Sequence, residues 1–218
     1  MIYFTSDWHL GWTSTLKFDQ RPFATPEEQD SALLKRFNNI LKYEDTIYFL
    51  GDMGKPSNLK SIITQINGKK ILILGNHDKG PQAMLECGFD VVLNSASYKL
   101  GKTFITMSHY PIPGRFRETV SVNGDKFWHG DRKHTVLVPD LVKLGSNVGV
   151  QQVHLHGHIH SPNPERKSHK IEISHPLDKN GNMLIQYDVG VKANNYMPVS
   201  LSQIESLVAK HIKEKQAP

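Results

Sequence analysis

Three short apolar stretches separated by two amphipathic ones constrain the fold of this chain more than any other feature. Residues 2–5, 46–50 and 71–74 are rich in β-favouring side chains, and a serine or glycine followed by a polar residue comes after each. Between them, residues 33–41 and 57–66 carry apolar side chains at three- and four-residue spacing, which is typical of helices with one buried face. The order strand, helix, strand, helix, strand predicts a parallel β-sheet covered by helices.

The second half of the chain has a different rhythm. Closely connected strands are predicted at residues 91–93, 98–100, 103–107, 150–155 and 183–189, followed by a final helix from 200 to about 210. A second sheet packed on the first is expected. The predicted fold class is therefore α/β, a four-layer α/β/β/α sandwich with two packed β-sheets.

The helix that follows the first strand has a defined start in the sequence. Thr25 is predicted to be its N-cap, Pro26 its first helical residue, and Glu28 the second member of a capping box.

The length of 218 residues fits a single domain, residues 1–218. Residues 110–136 contain several prolines and glycines and are predicted to form a lid or insertion. Because this stretch also carries Arg115 and Arg117, we expect it to contact an anionic substrate, with these two residues as candidate substrate-binding groups.

The composition limits where the protein acts and on what. The N-terminus lacks the pattern of a signal peptide, and no apolar run approaches the roughly 20 residues of a membrane span. Cys87 is the single cysteine, which favours a reducing compartment, so a cytoplasmic protein without membrane contact is expected. The net charge of +5 mildly favours anionic partners such as phosphorylated small molecules or nucleic acid.

Side chains that can bind metal follow the predicted strands. Carboxylate, amide and imidazole groups of this kind are the ligand inventory for two divalent ions held side by side. The candidates are Asp7, His9, Asp52, Asn76, His109, His158 and His160. Each alone is more often a turn former or a structural residue, but their joint occurrence after successive strands reverses that preference. Asp7 and His9, like His158 and His160, are two residues apart, so extended backbone would point both side chains the same way.

Five segments of the sequence resemble, in order and spacing, the motif blocks of the calcineurin-like metallophosphoesterase superfamily. These are Asp7-Trp8-His9, Gly51-Asp52, Gly75-Asn76-His77-Asp78, Ser108-His109 and Gly157-His158-Ile159-His160. Residues 188–191 and 195–201 are similar to the end of a small bacterial and phage branch of that superfamily. Protein phosphatases of the superfamily commonly continue Gly-Asp with Asp-Arg-Gly. Here Met53-Gly54-Lys55-Pro56 follows Asp52, which disfavours phosphoprotein substrates.

The resemblance implies a role for each matching position. One metal would be bound by Asp7, His9 and His160, and the other by Asn76, His109 and His158, with Asp52 bridging both. His77 would protonate the leaving oxygen, and Asp78 would hold its imidazole in position. A donor set this rich in imidazole favours two divalent transition-metal ions, Mn, Fe, Zn or Ni, over Mg²⁺.

The resulting hypothesis is a binuclear metal-dependent phosphoesterase, specifically a phosphodiesterase acting on nucleotides, cyclic phosphates or nucleic-acid ends. A phosphomonoesterase is the alternative within the same chemistry, and the sequence does not separate the two. From a different class, a non-catalytic scaffold of the same fold is the remaining alternative. It is disfavoured because every ligand position and His77 are filled.

Overall fold

The computed structural model describes residues 1–100, 103–111, 151–160, 172–176 and 183–216. The strands in these ranges are β1 (Ile2–Thr5), β2 (Thr46–Phe49), β3 (Lys69–Ile73), β4 (Val91–Leu93), β5 (Ala96–Leu100), β6 (Thr103–Met107), β7 (Gln151–His156), β8 (Glu172–Pro176), β9 (Met183–Asp188) and β10 (Val199–Ser200). The helices in these ranges are α1 (Thr13–Phe18), α2 (Pro26–Asn38), α3 (Pro56–Ile63), α4 (Pro81–Glu86) and α5 (Leu201–Gln216).

The described strands form two five-stranded sheets. The first has the order β10-β1-β2-β3-β4, in which β1 to β4 run parallel and β10 pairs antiparallel with β1. The second has the order β5-β6-β7-β9-β8, in which β6, β7 and β9 run parallel and the two edge strands are antiparallel. The predicted fold class, an α/β sandwich with two packed sheets, is confirmed.

Two separate cores explain why the strands of the first sheet are apolar on both faces. One core lies between this sheet and the helices α2, α3 and α4, and it includes Leu33, Phe37, Ile47 and Leu59. The other joins the two sheets and α5. Its members are Phe4, Leu50, Ile73, Ile105, Met107, Val153, Leu155, Ile185, Val189, Val199, Ile204 and Val208.

Helix α2 begins as predicted. The Thr25 side chain accepts a hydrogen bond from the backbone N–H of Glu28 at 3.2 Å, and Pro26 is the first helical residue. The Glu28 carboxylate accepts from the N–H of Ala24 at 2.7 Å, one residue before the N-cap, rather than from the N-cap itself. The helix ends at Asn38, so Leu41 joins the core from beyond it.

Some predictions concern parts of the chain of which the structure describes few residues or none. The predicted lid at 110–136 lies outside the described residues except for its first two positions, so Arg115 and Arg117 lie outside them too. The single domain therefore stays a prediction. Cys87 is buried. None of the described helices combines the length and apolar character needed to cross a bilayer.

Candidate metal centre

All seven predicted ligands follow the carboxyl ends of parallel strands. They come after β1 (Asp7, His9), β2 (Asp52), β3 (Asn76), β6 (His109) and β7 (His158, His160). Register places these ends level with one another: Thr5 pairs with Phe49, and Phe49 with Leu72. In the second sheet, Met107 pairs with Leu155 in the same way. The ligand-bearing loops of both sheets therefore meet at one rim, where open α/β sheets place their ligands.

The backbone at this rim is unusual. Five of the predicted ligands have left-handed φ angles: Asp7 (58°), His9 (49°), Asp52 (57°), His158 (70°) and His160 (48°). Such conformations cost about 1–3 kcal/mol each and persist where the surroundings impose them, which is often at functional sites. The extended backbone that was assumed for the two pairs is therefore wrong. Asp7 and His9 nevertheless converge on one cluster, whereas His158 and His160 belong to different clusters.

Hydrogen bonds between neighbouring loops hold this strained backbone. The N–H of Asp7 donates to the carbonyl of Gly51 at 3.0 Å, and the N–H of His9 donates to the carbonyl of Asp52 at 3.1 Å. The N–H of His158 donates to both oxygens of the Asp7 carboxylate, at 3.2 and 3.0 Å, and so ties the second sheet to the first.

The first cluster of candidate ligands is Asp7, His9 and His160, whose ligand atoms lie within 4.8 Å of one another. The Nε2 atoms of His9 and His160 are 3.1 Å apart, and His160 Nε2 lies 3.5 Å from Asp7 Oδ1. These three residues are the predicted ligands of one metal. Three donor atoms facing a common point suit a single divalent cation.

The second cluster is Asp52, His109 and His158, again with ligand atoms within 4.8 Å of one another. His109 Nε2 lies 3.2 Å from His158 Nδ1 and 3.0 Å from the side-chain oxygen of Asn76. On its other side, His109 donates from Nδ1 to the carbonyl of Leu50 at 2.7 Å, so Nε2 is the nitrogen that faces the cluster and can bind a cation once it has lost its proton.

Asp52 belongs to the second cluster and lies on the side that faces the first. Its Oδ2 is 3.8 Å from His9 Nε2 in the first and 3.4 Å from His109 Nε2 in the second. Its Oδ1 accepts a hydrogen bond from the backbone N–H of His77 at 2.9 Å. A carboxylate in this position can serve two cations at once, because it has several lone pairs on two oxygens.

Two glycines let the ligand-bearing loops approach this closely. A Cβ at Gly75 would lie 2.3 Å from Asp52 Oδ1, and one at Gly157 would lie 2.4 Å from Asp7 Oδ2. Real Cβ atoms do not come so near, so a side chain at either position would push a candidate ligand away. The glycine in each motif is therefore required by packing at the centre.

Burial affects the ionisation of the candidate ligands in opposite ways. Burial alone would raise the pKa of Asp7, but the hydrogen bond and charge of His160 hold that pKa well below its usual range. Burial would likewise raise the pKa of Asp52, but the charge and hydrogen bond of His109, together with the charge of His9, lower it. Burial lowers the pKa of His9 to about 4.

Two imidazoles carry the matching positive charge. Burial would lower the pKa of His160, but hydrogen bonds to Asp19 and Asp7 raise it to about 10. Burial would likewise lower the pKa of His109, but the charge and hydrogen bond of Asp52 raise it to about 9. The buried carboxylates thus attract positive charge to one position in each cluster. Divalent cations compete with protons for such positions, since imidazole binds metal through its deprotonated nitrogen.

His77 and Asp78 lie beside the clusters, but only His77 faces the open side. Its imidazole is 43% exposed, with Nε2 3.9 Å from Asp52 Oδ2. The Asp78 carboxylate accepts from the backbone N–H groups of Asp52 (2.9 Å), Met53 (2.9 Å) and Gly75 (2.8 Å). The described hydrogen-bond partners of Asp78 are therefore backbone N–H groups of two loops, and not the His77 imidazole that it was predicted to hold. Asp78 fixes the loops that carry Asp52 and His77.

Asp19 and Arg21 support the centre and were not predicted from the sequence. Asp19 Oδ2 lies 2.7 Å from His160 Nδ1 and accepts two hydrogen bonds from Arg21. Arg21 also donates to the backbone carbonyls of Asp7 and Trp8, both at 2.9 Å. Both side chains are buried. A carboxylate on the far nitrogen orients a ligand histidine and increases its basicity.

Asp19→Asn is expected to weaken binding of the metal at the first cluster by about 10–100-fold, as loss of such an outer partner typically does. The amide can still accept one hydrogen bond but carries no charge to orient His160. Metal titration followed by calorimetry measures the affinity. Asp45→Asn is the matched control, because Asp45 is equally buried and pairs instead with the N-terminal amine. Equal affinities in the two variants would contradict the role of Asp19.

Two packed sheets with paired clusters of metal-binding side chains at their common rim define the class: an α/β protein built around a candidate binuclear metal centre. A sequence profile, the calcineurin-like phosphoesterase superfamily domain, matches residues 1–175. The chain therefore belongs to the calcineurin-like phosphoesterase superfamily, as the five motif segments predicted. Membership indicates divalent-metal binding and metal-dependent hydrolysis of phosphoesters, without specifying the substrate.

Known relatives match over nearly the whole chain. An uncharacterized protein of Methanocaldococcus jannaschii is 26% identical over 224 residues, which cover 96% of this chain and 92% of the relative. The gene 66 protein of Mycobacterium phage L5 is 29% identical over 206 residues, which cover 86% and 91% of the two chains. A protein of unknown function from Aquifex aeolicus is 23% identical and has a TM-score of 0.62, covering 95% of this chain and 98% of that one. The Aquifex structure supports the fold alone.

Proposed function

We propose that this protein is a binuclear metal-dependent phosphodiesterase. The observation that carries the proposal is the position of Asp52, a member of the second cluster, whose Oδ2 also lies 3.8 Å from His9 Nε2 in the first. Two adjacent cations, when bound, polarise a phosphoryl group, generate a nucleophile at neutral pH and neutralise charge in the transition state. Family membership supports this chemistry.

In this proposal seven side chains bind the two cations. Asp7, His9 and His160 hold one cation, Asn76, His109 and His158 hold the other, and Asp52 is shared. Four imidazoles in the two described clusters favour Mn, Fe, Zn or Ni over Mg²⁺.

His77 is the proposed general acid of the reaction. Its exposed ring lies beside the shared carboxylate, and in this proposal it protonates the leaving oxygen from the open side. Asp78 acts indirectly: it accepts hydrogen bonds from the backbone of the loops that carry Asp52 and His77, and so positions these two residues.

The proposed substrates are phosphodiesters of nucleotides, cyclic phosphates or nucleic-acid ends, and the proposed location is the cytoplasm. A phosphomonoesterase with the same residues in the same roles is the second candidate. Scaffold function is disfavoured because every ligand that the family pattern requires is at the rim.

Metal content and substrate preference test the proposal together. Elemental analysis of purified protein should find about two transition-metal ions per chain. A metal-supplemented panel should then show faster hydrolysis of bis-p-nitrophenyl phosphate and cyclic nucleotides than of p-nitrophenyl phosphate. Preference for the monoester would favour the second candidate. Full metal occupancy without hydrolysis of any ester would overturn both enzymatic proposals.

A further inference from the structure

A cleft of about 440 Å³ opens over the candidate metal centre. Its volume falls within the range of small-molecule sites, about 300–1,000 Å³. The described residues that line it are His9, Trp12, Ser14, Thr15, Phe18, Asp52, His77, His158, Ile159 and His160. Four candidate ligands, His9, Asp52, His158 and His160, are among them and are called the floor of the cleft here, and the remaining lining residues are called its walls.

Apart from the candidate ligands and His77, three of the five described lining residues, Trp12, Phe18 and Ile159, are apolar or aromatic, and the other two, Ser14 and Thr15, carry uncharged hydroxyls. No lysine or arginine occurs among the lining residues that the structure describes. Phe18 and Ile159 lie on the side of His160 and are 83% and 44% exposed. A substrate that fits this part of the cleft carries its charge on the phosphate at the floor and an uncharged, apolar group against the wall.

The backbone of Phe18 is anchored by its neighbours, although its side chain is exposed. Phe18 is the last residue of α1, whose Leu16 is buried, and the next residue is the buried Asp19 that hydrogen-bonds to His160. The rings of Phe18 and His160 lie 6.4 Å apart between centroids at 74°, an edge-to-face arrangement. An aromatic side chain has only two rotatable bonds, so binding a flat ring against it costs little conformational freedom.

We propose that Phe18 and Ile159 form a binding site for a planar aromatic group, such as a nucleobase, on the phosphate ester. The proposal rests on the proposed function, because the metal centre would hold the phosphate of the same molecule. Single exposed apolar residues are common on protein surfaces and need no function. Phe18 and Ile159 differ from such residues because both line the same cleft above the candidate ligands.

Binding of stable phosphonates tests the site without turnover. Phenylphosphonate and methylphosphonate differ only in the ring, and an adenosine-bearing phosphonate distinguishes a nucleobase from a simple aryl group. Calorimetry on the purified metal-containing protein should show tighter binding of phenylphosphonate than of methylphosphonate. Phe18→Ala should weaken the binding of phenylphosphonate about 5- to 100-fold, the range expected from stacking on an aromatic side chain. The affinity for methylphosphonate should change by less than about twofold. If the natural group is a nucleobase, Phe18→Ala should reduce the affinity for the adenosine phosphonate more than the affinity for phenylphosphonate.

Tyr43→Ala is the matched control, because Tyr43 is 86% exposed and does not line the cleft. Neither phosphonate should lose affinity in this variant. Equal losses for both ligands in Phe18→Ala, or no loss, would overturn the aromatic site. Those results would leave ester hydrolysis by the wild-type protein, and with it the proposed function, intact. Absence of any hydrolysis by the wild-type protein would instead overturn the proposed function.

Discussion

Asp52→Asn should reduce turnover by more than about 100-fold and lower the metal content below two ions per chain. The shared position loses its negative charge, and one of its two oxygens becomes an amide nitrogen that cannot bind a cation. Two-metal chemistry depends on several kcal/mol of charge stabilisation, and each 1.36 kcal/mol corresponds to about tenfold in rate. Steady-state kinetics and elemental analysis of the same preparation measure both effects.

The Asp52→Asn substitution preserves the shape of the side chain. The remaining oxygen can still accept the hydrogen bond that the N–H of His77 makes to Oδ1 at 2.9 Å. The far-ultraviolet circular dichroism spectrum should therefore match that of the wild type. Asp45→Asn, a change at an equally buried carboxylate far from the rim, should retain both metals and full activity. If Asp52→Asn bound two ions tightly and kept normal turnover, the proposal that Asp52 is shared by the two cations would be wrong.

The strands and the ligands could be predicted because both leave local patterns in the sequence. Residues 103–107 were predicted as a strand and form β6 with the same bounds. Helix ends were predicted less well. The segment 57–66 was predicted as one helix, but α3 spans Pro56–Ile63. Ile66 is nevertheless buried at 3% exposure, so the burial pattern continues through the turn that follows α3. Apolar spacing reports burial and does not reveal where the helical hydrogen bonds stop.

The supporting contacts could not be predicted, because they join distant parts of the chain. Asp19 and His160 are 141 positions apart, and nothing near Asp19 in the sequence marks it as a partner. The family pattern suggested the His77 imidazole as the partner of Asp78, but the carboxylate accepts from backbone N–H groups of Asp52 and Met53 in a neighbouring loop and of Gly75 in its own loop. Helix α1 was missed because Thr13, Ser14 and Thr15 have weak helix propensity.

The structure also limits what His77 is expected to do for the centre. Its ring is half exposed, and its Nε2 lies 3.9 Å from Asp52 Oδ2. The ring atoms of His77 belong to neither candidate cluster among the described residues, although its backbone N–H supports Asp52. Substitution of the side chain leaves that N–H in place. Metal binding and proton transfer can therefore be separated by experiment at this position.

His77→Ala should retain both metals and lose about 10²–10⁴-fold in turnover, the usual contribution of a positioned general acid. The loss should be large for alkyl esters, whose leaving oxygen needs a proton, and small for p-nitrophenyl esters, whose leaving group departs as an anion. Kinetics on the two ester types, with elemental analysis of the same samples, measures this difference. Lys79→Ala, a change at an exposed residue two positions away, should leave both rates unchanged. An equal loss for both ester types would mean that His77 acts by binding substrate, and normal turnover of the alkyl ester would exclude it from the reaction.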